Sequence, residues 1–226
     1  MSVALVARGE EPLAAVAGGL EGRSLVVPAD LAAPDAPSAV VERVLAWAGR
    51  LDVIVNNAAS FKLRPFERVE LAEFDDHVAV NVRAAYFLVQ AALPALRVSP
   101  AAVVVNVSSV AAAMYRPQQT LYGLTKAALE HLTMNLAVEL APDGIRVACV
   151  RPGPVATPLH AGTVDDPTAR LAELGRLVPL GRVGEAEEIA RWIGHLVDRE
   201  ASWVTGSVLT IDGGRLLGPP VVSGGR

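Results

Sequence analysis

Three side chains in the middle of the chain have the types and spacing needed for proton transfer at a carbonyl or alcohol oxygen. Tyr122 and Lys126 are four residues apart, and Ser109 precedes the tyrosine by thirteen. On a helix, residues i and i+4 share a face, so the phenol and the ammonium would point into the same space. A nearby positive charge lowers the pKa of a tyrosine from about 10, and a serine hydroxyl can stabilise the substrate oxygen. The trio predicts an oxidoreductase.

The lysine of this trio is unusual for the chain. Lys62 and Lys126 are its only lysines, and the other eighteen basic residues are arginines. A guanidinium cannot take the place of a compact ammonium. A lysine at position 126, in a chain that otherwise uses arginine, therefore indicates that an ammonium is needed there. A Tyr-x-x-x-Lys pair on its own is more often a half-buried ring beside a solvated amine, and this alternative stays open.

Length and composition restrict the class of protein. The 226 residues suffice for one well-buried domain, and 52% of them are apolar. The net charge is -4 with both signs interspersed, and no basic patch alternates with aromatic residues, so we expect no nucleic-acid partner. The four histidines lack metal-ligand spacing, so we expect no metal site. A single cysteine, Cys149, excludes an intrachain disulfide.

No segment has the features of a targeting signal or a membrane span. The apolar start ends at Arg8, which is too early for a signal peptide. The longest uncharged stretch, residues 98–115, contains Ser, Pro and Asn. We therefore expect a cytoplasmic protein that binds no membrane.

Short apolar runs alternate with longer helical patterns along the chain. Most runs are continuous, which is typical of parallel strands covered on both faces. The predicted strands are Val3–Ala7, Ser24–Pro28, Val53–Asn56, Ala102–Ser108, Arg146–Arg151 and Ser207–Asp212. The predicted helices are Pro12–Gly19, Pro37–Ala48, Leu71–Arg97, Tyr122–Leu140 and Ala186–Val197, and residues 165–180 are expected to leave the sheet. This alternation predicts a doubly wound α/β fold with a mostly parallel sheet and ligands at the carboxyl ends of its strands.

Short motifs occur along the chain in a characteristic order. They are Asp30-Leu31 after a strand, Asn56-Asn57-Ala58-Ala59, Asn81, Ser109, Tyr122-x-x-x-Lys126, Pro152-Gly153 and Asp212-Gly213-Gly214. In this order and at these intervals they resemble the short-chain dehydrogenase/reductase family, from about Val3 to Gly214. Each motif is weak alone, whereas a chance match of all of them is improbable. The resemblance implies one Rossmann-like domain over residues 1–216, followed by a loose tail at residues 217–226.

The resemblance also implies four catalytic residues. Tyr122 would be the general acid-base, and Lys126 would lower its pKa and contact the nicotinamide ribose. Ser109 would orient the reacting oxygen, and Asn81 would hold a water that relays protons. Asn81 could instead bend its helix by bonding to the backbone.

The same resemblance implies a nicotinamide cofactor. Its contacts would be Arg8, Asp30, Leu31, Asn57, Ala58, Tyr122, Lys126, Pro152, Gly153, Val155 and Thr157. Arg8 follows the first strand, where an arginine accommodates a 2′-phosphate and an acidic residue binds the ribose hydroxyls. We expect NADP, with NAD as the alternative because Glu10 and Glu11 lie nearby. Pro152-Gly153 could also be turn chemistry alone, and Asp212-Gly213-Gly214 is expected to close the last strand with a turn.

The family opens with a strand, a glycine-rich turn and a helix that bind the pyrophosphate of the cofactor. No such segment precedes Val3, and the glycines of residues 18–22 follow a helix instead of opening one. Three explanations stay open. The sequence begins at an internal methionine of a longer protein, which we favour. Otherwise the short form closes up its sheet and binds cofactor weakly or not at all, or a neighbouring subunit supplies the strand.

These observations predict an enzyme that transfers a hydride between NADP(H) and a carbonyl or secondary alcohol. A 3-oxoacyl thioester and a small ketone or alcohol are equally consistent substrates. Met114, Leu159 and Leu174 suggest a partly apolar one. The alternative is a non-catalytic family member that serves as a scaffold or subunit partner. Helices Leu71–Arg97 and Tyr122–Leu140 resemble packing helices of the family, so we expect a homo-oligomer, either a dimer or a tetramer.

Overall fold

The structure, a computed structural model, describes residues 2–157 and 166–220. Eight strands lie in this part of the chain, and six of them reproduce predicted strands to within one residue at each end. They are β1 (Val3–Ala7), β2 (Ser24–Pro28), β3 (Val53–Asn56), β4 (Val103–Val107), β5 (Arg146–Pro152), β6 (Val155–Ala156), β7 (Gly184–Glu185) and β8 (Val208–Ile211). β8 is also one residue shorter than predicted at each end, and β6 and β7 were not predicted.

Seven α-helices separate these strands in the described ranges. They are α1 (Glu10–Gly18), α2 (Ala36–Ala48), α3 (Leu71–Val78), α4 (Ala84–Arg97), α5 (Thr120–Leu140), α6 (Pro167–Gly175) and α7 (Ala186–Val197). The predicted helix Leu71–Arg97 contains a π-helical turn, Ala79–Arg83, between α3 and α4. α6 lies in the segment that was expected only to leave the sheet.

All strand pairs are parallel, and helices cover both faces of the central sheet. The strand order is β3-β4-β5-β8 in the central sheet, with β1-β2 and β6-β7 as separate pairs. On one face, Val104 and Val147 pack with side chains of α2, α4 and α5. On the other, Val103, Val105 and Val150 pack against α7. The predicted doubly wound α/β fold is confirmed.

β1 and β3 belong to separate sheets, so their backbone edges are not hydrogen-bonded to each other. β1 pairs with β2 through the backbone groups of residues 3, 5 and 7, so those of Ala4 and Val6 point away from β2. Asp52 accepts from Val103 across β3 and β4, so the backbone groups of Val53 and Val55 point away from β4. The closed-up sheet, one of the three explanations left open, is therefore wrong. Two strand edges remain available for pairing instead.

The stretch from α3 to α4 is both long and apolar. By length and composition alone, residues 71–97 could cross a membrane, with 33% of the most apolar window buried in the fold. In this structure, α4 packs against α2 and contacts β3 and β4. A core helix meets the same length and composition test.

The start of α5 lies unusually close to the turn that follows β4. A Cβ atom added at Gly123 would lie 2.6 Å from the carbonyl oxygen of Ala111. Since real Cβ atoms do not approach a backbone oxygen so closely, only glycine permits this contact. The close approach places Tyr122 next to the segment that carries Ser109.

Gly123→Ala should force α5 and the Ala111 turn apart. We expect a loss of stability of about 1–3 kcal/mol, the usual cost of overpacking. Gly194→Ala is the matched control, because Gly194 lies inside α7 with nothing within 4 Å of an added Cβ. That change should stabilise the protein by about 0.5–1 kcal/mol. Urea unfolding measures both, and equal stabilities of the two variants would contradict the steric argument.

Candidate active site

A large cavity opens at the carboxyl ends of the central strands. Its volume is about 750 Å³. Nine of the thirteen predicted site residues line it: Asn57, Ala58, Ser109, Tyr122, Lys126, Pro152, Gly153, Val155 and Thr157. The other four, Arg8, Asp30, Leu31 and Asn81, lie outside this lining. The fold therefore brings the predicted catalytic trio together in one cavity.

Tyr122 is a buried phenol whose hydroxyl interacts with Ser109. Its side chain is only 6% exposed, and Phe61 packs edge-on with the ring centroids 4.7 Å apart. Burial raises the pKa of Tyr122 to about 12, and the hydrogen bond with Ser109 opposes this rise. The phenol is therefore protonated at neutral pH and can act as a proton donor.

Ser109 begins the short turn that follows β4. Its hydroxyl oxygen accepts a hydrogen bond from the backbone N–H of Ala111 at 3.2 Å. This contact caps the turn Val110–Ala112 and fixes the serine side chain at the cavity wall. The same turn contacts the start of α5, which carries Tyr122.

Lys126 is a buried ammonium that ties α5 to the end of β4. It is 2% exposed, and its Nζ donates to the carbonyl oxygen of Val107 at 2.7 Å. Burial lowers its pKa to about 8, because a low-dielectric environment disfavours the charged form. An ammonium has three N–H groups, and Val107 takes one of them. Lys126 also lines the cavity, so its remaining donors can serve a bound molecule.

Lys126 is the charged neighbour of the Tyr122 ring in this cavity. Lys126 Nζ lies 5.7 Å from the centroid of the Tyr122 ring, yet the pKa of Tyr122 is raised rather than lowered. Burial of the phenol is the larger effect. Sequence spacing placed the two groups on one face correctly but could not give the depth of their burial.

A polar network anchors the helix segment behind Lys126, and sequence reasoning missed it. Glu130 accepts from the Ser108 hydroxyl at 2.8 Å and from Arg151 Nε at 2.7 Å. The same hydroxyl has only one proton, and its oxygen also lies 3.2 Å from the carbonyl oxygen of Lys126. Glu130 follows Lys126 by four residues, so both side chains lie on the same face of α5. A second charged residue on this face was the sequence feature that could have revealed the network. The network connects α5 to the ends of β4 and β5.

Asn81 lies in the π-helical turn and bonds to groups outside its own helix. Its Oδ1 accepts from the N–H of Ser60 at 2.7 Å, and its Nδ2 donates to the Ser60 carbonyl and to Thr125 Oγ1, both at 3.0 Å. The alternative that Asn81 bends its helix by its own side-chain bond is therefore wrong. Asn81 and Leu31 line a small cavity of about 20 Å³, enough for one water molecule.

The residues predicted for the adenosine half of the cofactor lie at the β1-β2 pair. Arg8 follows β1 and is exposed. Asp30 follows β2, is exposed, and uses Oδ1 to accept from the N–H of Ala32 at 3.0 Å. The groups present fit the nicotinamide half of the cofactor, where Lys126 offers donors within a deep cavity. Among the described residues, no glycine-rich turn opens a helix after a strand to cradle a pyrophosphate.

The Pro152-Gly153 segment serves both packing and the cavity. The N–H of Gly153 donates to the carbonyl oxygen of Ile211 at 2.9 Å, and an added Cβ would lie 2.7 Å from Asp212 Cα. Glycine is therefore required where β5 passes the end of β8. Asp212 closes the expected turn by accepting from the N–H groups of Gly214 and Leu216, both at 2.8 Å.

Several residues of the cavity were not predicted from the sequence. The unpredicted residues include Phe61, Arg116, Arg170 and Arg215. The cavity is also lined by Met114 and Leu174, which were predicted only to suggest a partly apolar substrate. The third residue predicted in this way, Leu159, lies outside the described residues. No cluster of three metal-ligating side chains occurs in the described ranges, and sequence spacing carried no signal for the three arginines.

Comparison with known proteins relates this chain to characterised sequences. A family model described as enoyl-(acyl carrier protein) reductase matches residues 1–215. The chain is 34% identical over 221 residues to the oxidoreductase UcpA of Escherichia coli K12, covering 95% of this chain and 84% of that protein.

Solved structures agree with the sequence relatives. A 3-ketoacyl-(acyl-carrier-protein) reductase from Brucella melitensis, complexed with NADH, superposes with a TM-score of 0.87 at 32% identity, covering 94% of this chain and 87% of that chain. A blue fluorescent protein from a metagenomic library, complexed with NADPH, superposes with a TM-score of 0.87 at 30% identity, covering 95% and 87%. With its parallel sheet and convergent Ser109, Tyr122 and Lys126, the chain belongs to the short-chain dehydrogenase/reductase family and is a nicotinamide-dependent oxidoreductase acting on CH–OH groups.

Proposed function

We propose that this chain interconverts a carbonyl compound and a secondary alcohol with NADP(H), using Tyr122 as the general acid-base. The convergence of Ser109, Tyr122 and Lys126 in one deep cavity carries this proposal. A bound nicotinamide supplies or accepts the hydride at the substrate carbon. The protein must then bind the substrate oxygen, supply its proton and exclude water.

Tyr122 transfers the proton at the substrate oxygen. With a pKa of about 12 the phenol carries its proton at neutral pH, which suits donation to a developing alkoxide during reduction. The Ser109 hydroxyl, which interacts with the phenol, shares the charge on that oxygen. The ammonium of Lys126, 5.7 Å from the ring centroid, stabilises the phenolate that remains.

In this proposal, Lys126 binds the cofactor and Asn81 holds the water that relays the proton. The Lys126 donors that Val107 does not use bind the nicotinamide ribose. The cavity of about 20 Å³ beside Asn81 has the size for one water that returns a proton towards the site. Asn57, Ala58, Pro152, Gly153, Val155 and Thr157 form the walls that hold the nicotinamide.

The cofactor preference is proposed to be NADP. Arg8 is exposed directly after β1, where a guanidinium can pair with a 2′-phosphate. Glu10 and Glu11 in the first turn of α1 weaken this preference without supplying the acidic residue at the position of Arg8. Asp30 and Leu31 follow β2 and belong to the adenosine side of the same site.

Tyr122→Phe should abolish turnover while leaving cofactor affinity within about twofold, since only proton transfer is lost. General acid catalysis contributes about 10²–10⁴-fold, so kcat should fall by at least that range. Tyr86→Phe is the matched control, because Tyr86 is an exposed tyrosine on α4. Turnover of a ketone panel and fluorescence titrations with NADPH and NADH provide the readouts.

Retained turnover in Tyr122→Phe would refute the assigned role of Tyr122. NADH binding more tightly than NADPH would refute the cofactor preference. Binding of neither cofactor, even at millimolar concentration, would favour the non-catalytic alternative.

The Lys126 ammonium should titrate far below an ordinary lysine, because its burial lowers the pKa from 10.5 to about 8. With ¹³Cε-labelled lysine, NMR should show two resonances, and Lys62→Arg assigns them by removing one. The Lys126 midpoint should lie near pH 8. The unfolded chain binds this proton more tightly, so the free energy of unfolding should rise with pH between about 8 and 10.5. A Lys126 midpoint above pH 10 would contradict the burial.

We also propose that two or four copies of the chain assemble through α3, α4 and α5. These helices expose large apolar side chains: Leu71, Phe74, Tyr86, Phe87, Leu124, Met134 and Val138. α3 and α5 contact each other, so two of the helices that expose these side chains lie side by side. Exposed apolar surface can mark an association site, and a second copy is the partner that we infer.

Light scattering at micromolar concentration should give two or four times the chain mass of 23.6 kDa. Val138→Glu should lower the mass, because Val138 is a 76% exposed valine on α5, one of the proposed assembly helices. Val98→Glu is the control at a comparably exposed valine that follows α4. A monomeric mass for the unaltered chain would refute the assembly.

A further inference from the structure

Three arginines from distant parts of the chain line the same cavity as Tyr122. Arg116 lies in the segment before α5, Arg170 lies on α6, and Arg215 directly follows the turn after β8. All three side chains are half-buried. Only the tertiary fold brings these segments together.

The charge of the cavity lining is one-sided. Four cationic residues line it, namely the three arginines and Lys126, and the described lining residues include no Asp or Glu. Among the described residues, the carboxylate that forms an ion pair with one of these arginines is that of Glu173, whose Oε2 lies 2.5 Å from Arg170 Nη1. One carboxylate against three guanidiniums leaves two positive charges uncompensated within the described part of the chain.

The arginines are close enough to repel each other. The pKa of Arg116 is lowered first by burial, then by repulsion from Arg215 and Arg170, while Glu173 opposes the change. In the described ranges, neither the Arg116 nor the Arg215 guanidinium donates a hydrogen bond to the protein. Like charges gathered in a cavity with low-dielectric walls concentrate the field on an incoming anion.

The segment that carries Arg116 is held in a strained conformation. Gln118 is a non-glycine residue at a φ of 66°, a region that side chains other than glycine rarely adopt. Its carbonyl oxygen accepts from the N–H of Arg64 at 3.0 Å, which fixes the segment to the neighbouring loop. Strain of this kind is retained mainly where a site needs a defined geometry.

The position of the arginines separates them from the phosphates of the cofactor. The residues proposed for the adenosine side follow β1 and β2, a strand pair separate from the central sheet. Arg215 follows β8, the strand at the opposite edge of the central sheet. None of the residues proposed for the adenosine side follows β8 or lines the cavity that contains the three arginines. The arginines therefore face the space left for the substrate.

We propose that Arg116, Arg170 and Arg215 bind a carboxylate or phosphate group of the substrate, which makes the substrate an anionic ketone or secondary alcohol. This inference rests on the proposed oxidoreductase function. Guanidinium groups bind both oxyanions through paired N–H donors. The side chains of Met114 and Leu174 supply apolar contacts for the part of the substrate between its anionic group and its carbonyl.

Matched charged and neutral ketones test the proposal on the full chain. Suitable probes are 3-oxo carboxylic acids of four to ten carbons with their methyl esters, and dihydroxyacetone phosphate with dihydroxyacetone. With the preferred cofactor, kcat/KM should be at least about tenfold higher for the charged member of one series, the effect of one charge-assisted hydrogen bond. The acid and phosphate series distinguish the two anions. Equal or better turnover of the neutral members in both series would overturn the proposal.

Arg116→Gln and Arg215→Gln should raise KM for the charged probe by about 10- to 100-fold, with kcat nearly unchanged, because uniform binding is lost. Neither variant should change KM for the neutral member by more than about twofold. Arg176→Gln, an exposed arginine after α6 that does not line the cavity, is the control. An equal loss of NADPH or NADH affinity would assign the arginines to the cofactor and overturn the proposal.

If no probe is turned over, the oxidoreductase proposal fails for this chain, and calorimetry still tests the anion site. The unaltered protein should bind the same oxo acids or inorganic phosphate, and the two arginine variants should bind at least about tenfold more weakly. Binding of equal strength in the variants, or no binding to the unaltered protein, would overturn the anion site.

Discussion

The buried attachment of α5 to the ends of β4 and β5 is the contact on which the site depends. Lys126 bonds to Val107 at 2.7 Å, and one turn further along, Glu130 bonds to Ser108 and Arg151. These contacts fix both the rotation and the height of the helix relative to the sheet. At its N-terminal end, Gly123 permits the close approach to Ala111. Tyr122 lies between these two constraints and so has a defined position.

The same burial that positions the catalytic groups also sets their protonation. Desolvation raises the pKa of Tyr122 and lowers that of Lys126, since it disfavours the charged form of each. A neutral phenol and an ammonium near its titration point are therefore adjacent in one cavity. This arrangement favours proton donation to a carbonyl oxygen at neutral pH. Removal of a proton from an alcohol would require more alkaline conditions or additional stabilisation of the phenolate.

The proposed site has a half at the central sheet, which is enclosed, and a half at the β1-β2 pair, which is exposed. On the side of β3 to β8, the cavity has continuous walls and a one-sided positive lining. On the other side, Arg8 follows β1 and Asp30 lies shortly after β2. These two strands form a pair that is not hydrogen-bonded to the central sheet. Burial and charge are thus concentrated where the substrate carbonyl and the nicotinamide would meet. The three arginines inferred to bind the substrate all line the cavity on the β3 to β8 side.

The sequence by itself determined the order of the six longer strands and of the helices between them, apart from α6, and the helical face shared by Tyr122 and Lys126. Local periodicity predicted Val3–Ala7, Val53–Asn56 and Ala186–Val197 with their bounds, because backbone hydrogen bonding and side-chain burial repeat over short distances. It gave no sign of the π-helical turn Ala79–Arg83 within the long apolar helix.

Only the tertiary structure decided the environment of these residues. The raised pKa of Tyr122, the network around Glu130 and the meeting of Arg116, Arg170 and Arg215 all depend on groups far apart in the chain. Electrostatic and desolvation effects act through space, so sequence spacing carries no record of them. The family and the shared helical face of Tyr122 and Lys126 could be predicted from the residues. The charge of the substrate side follows only from the coordinates.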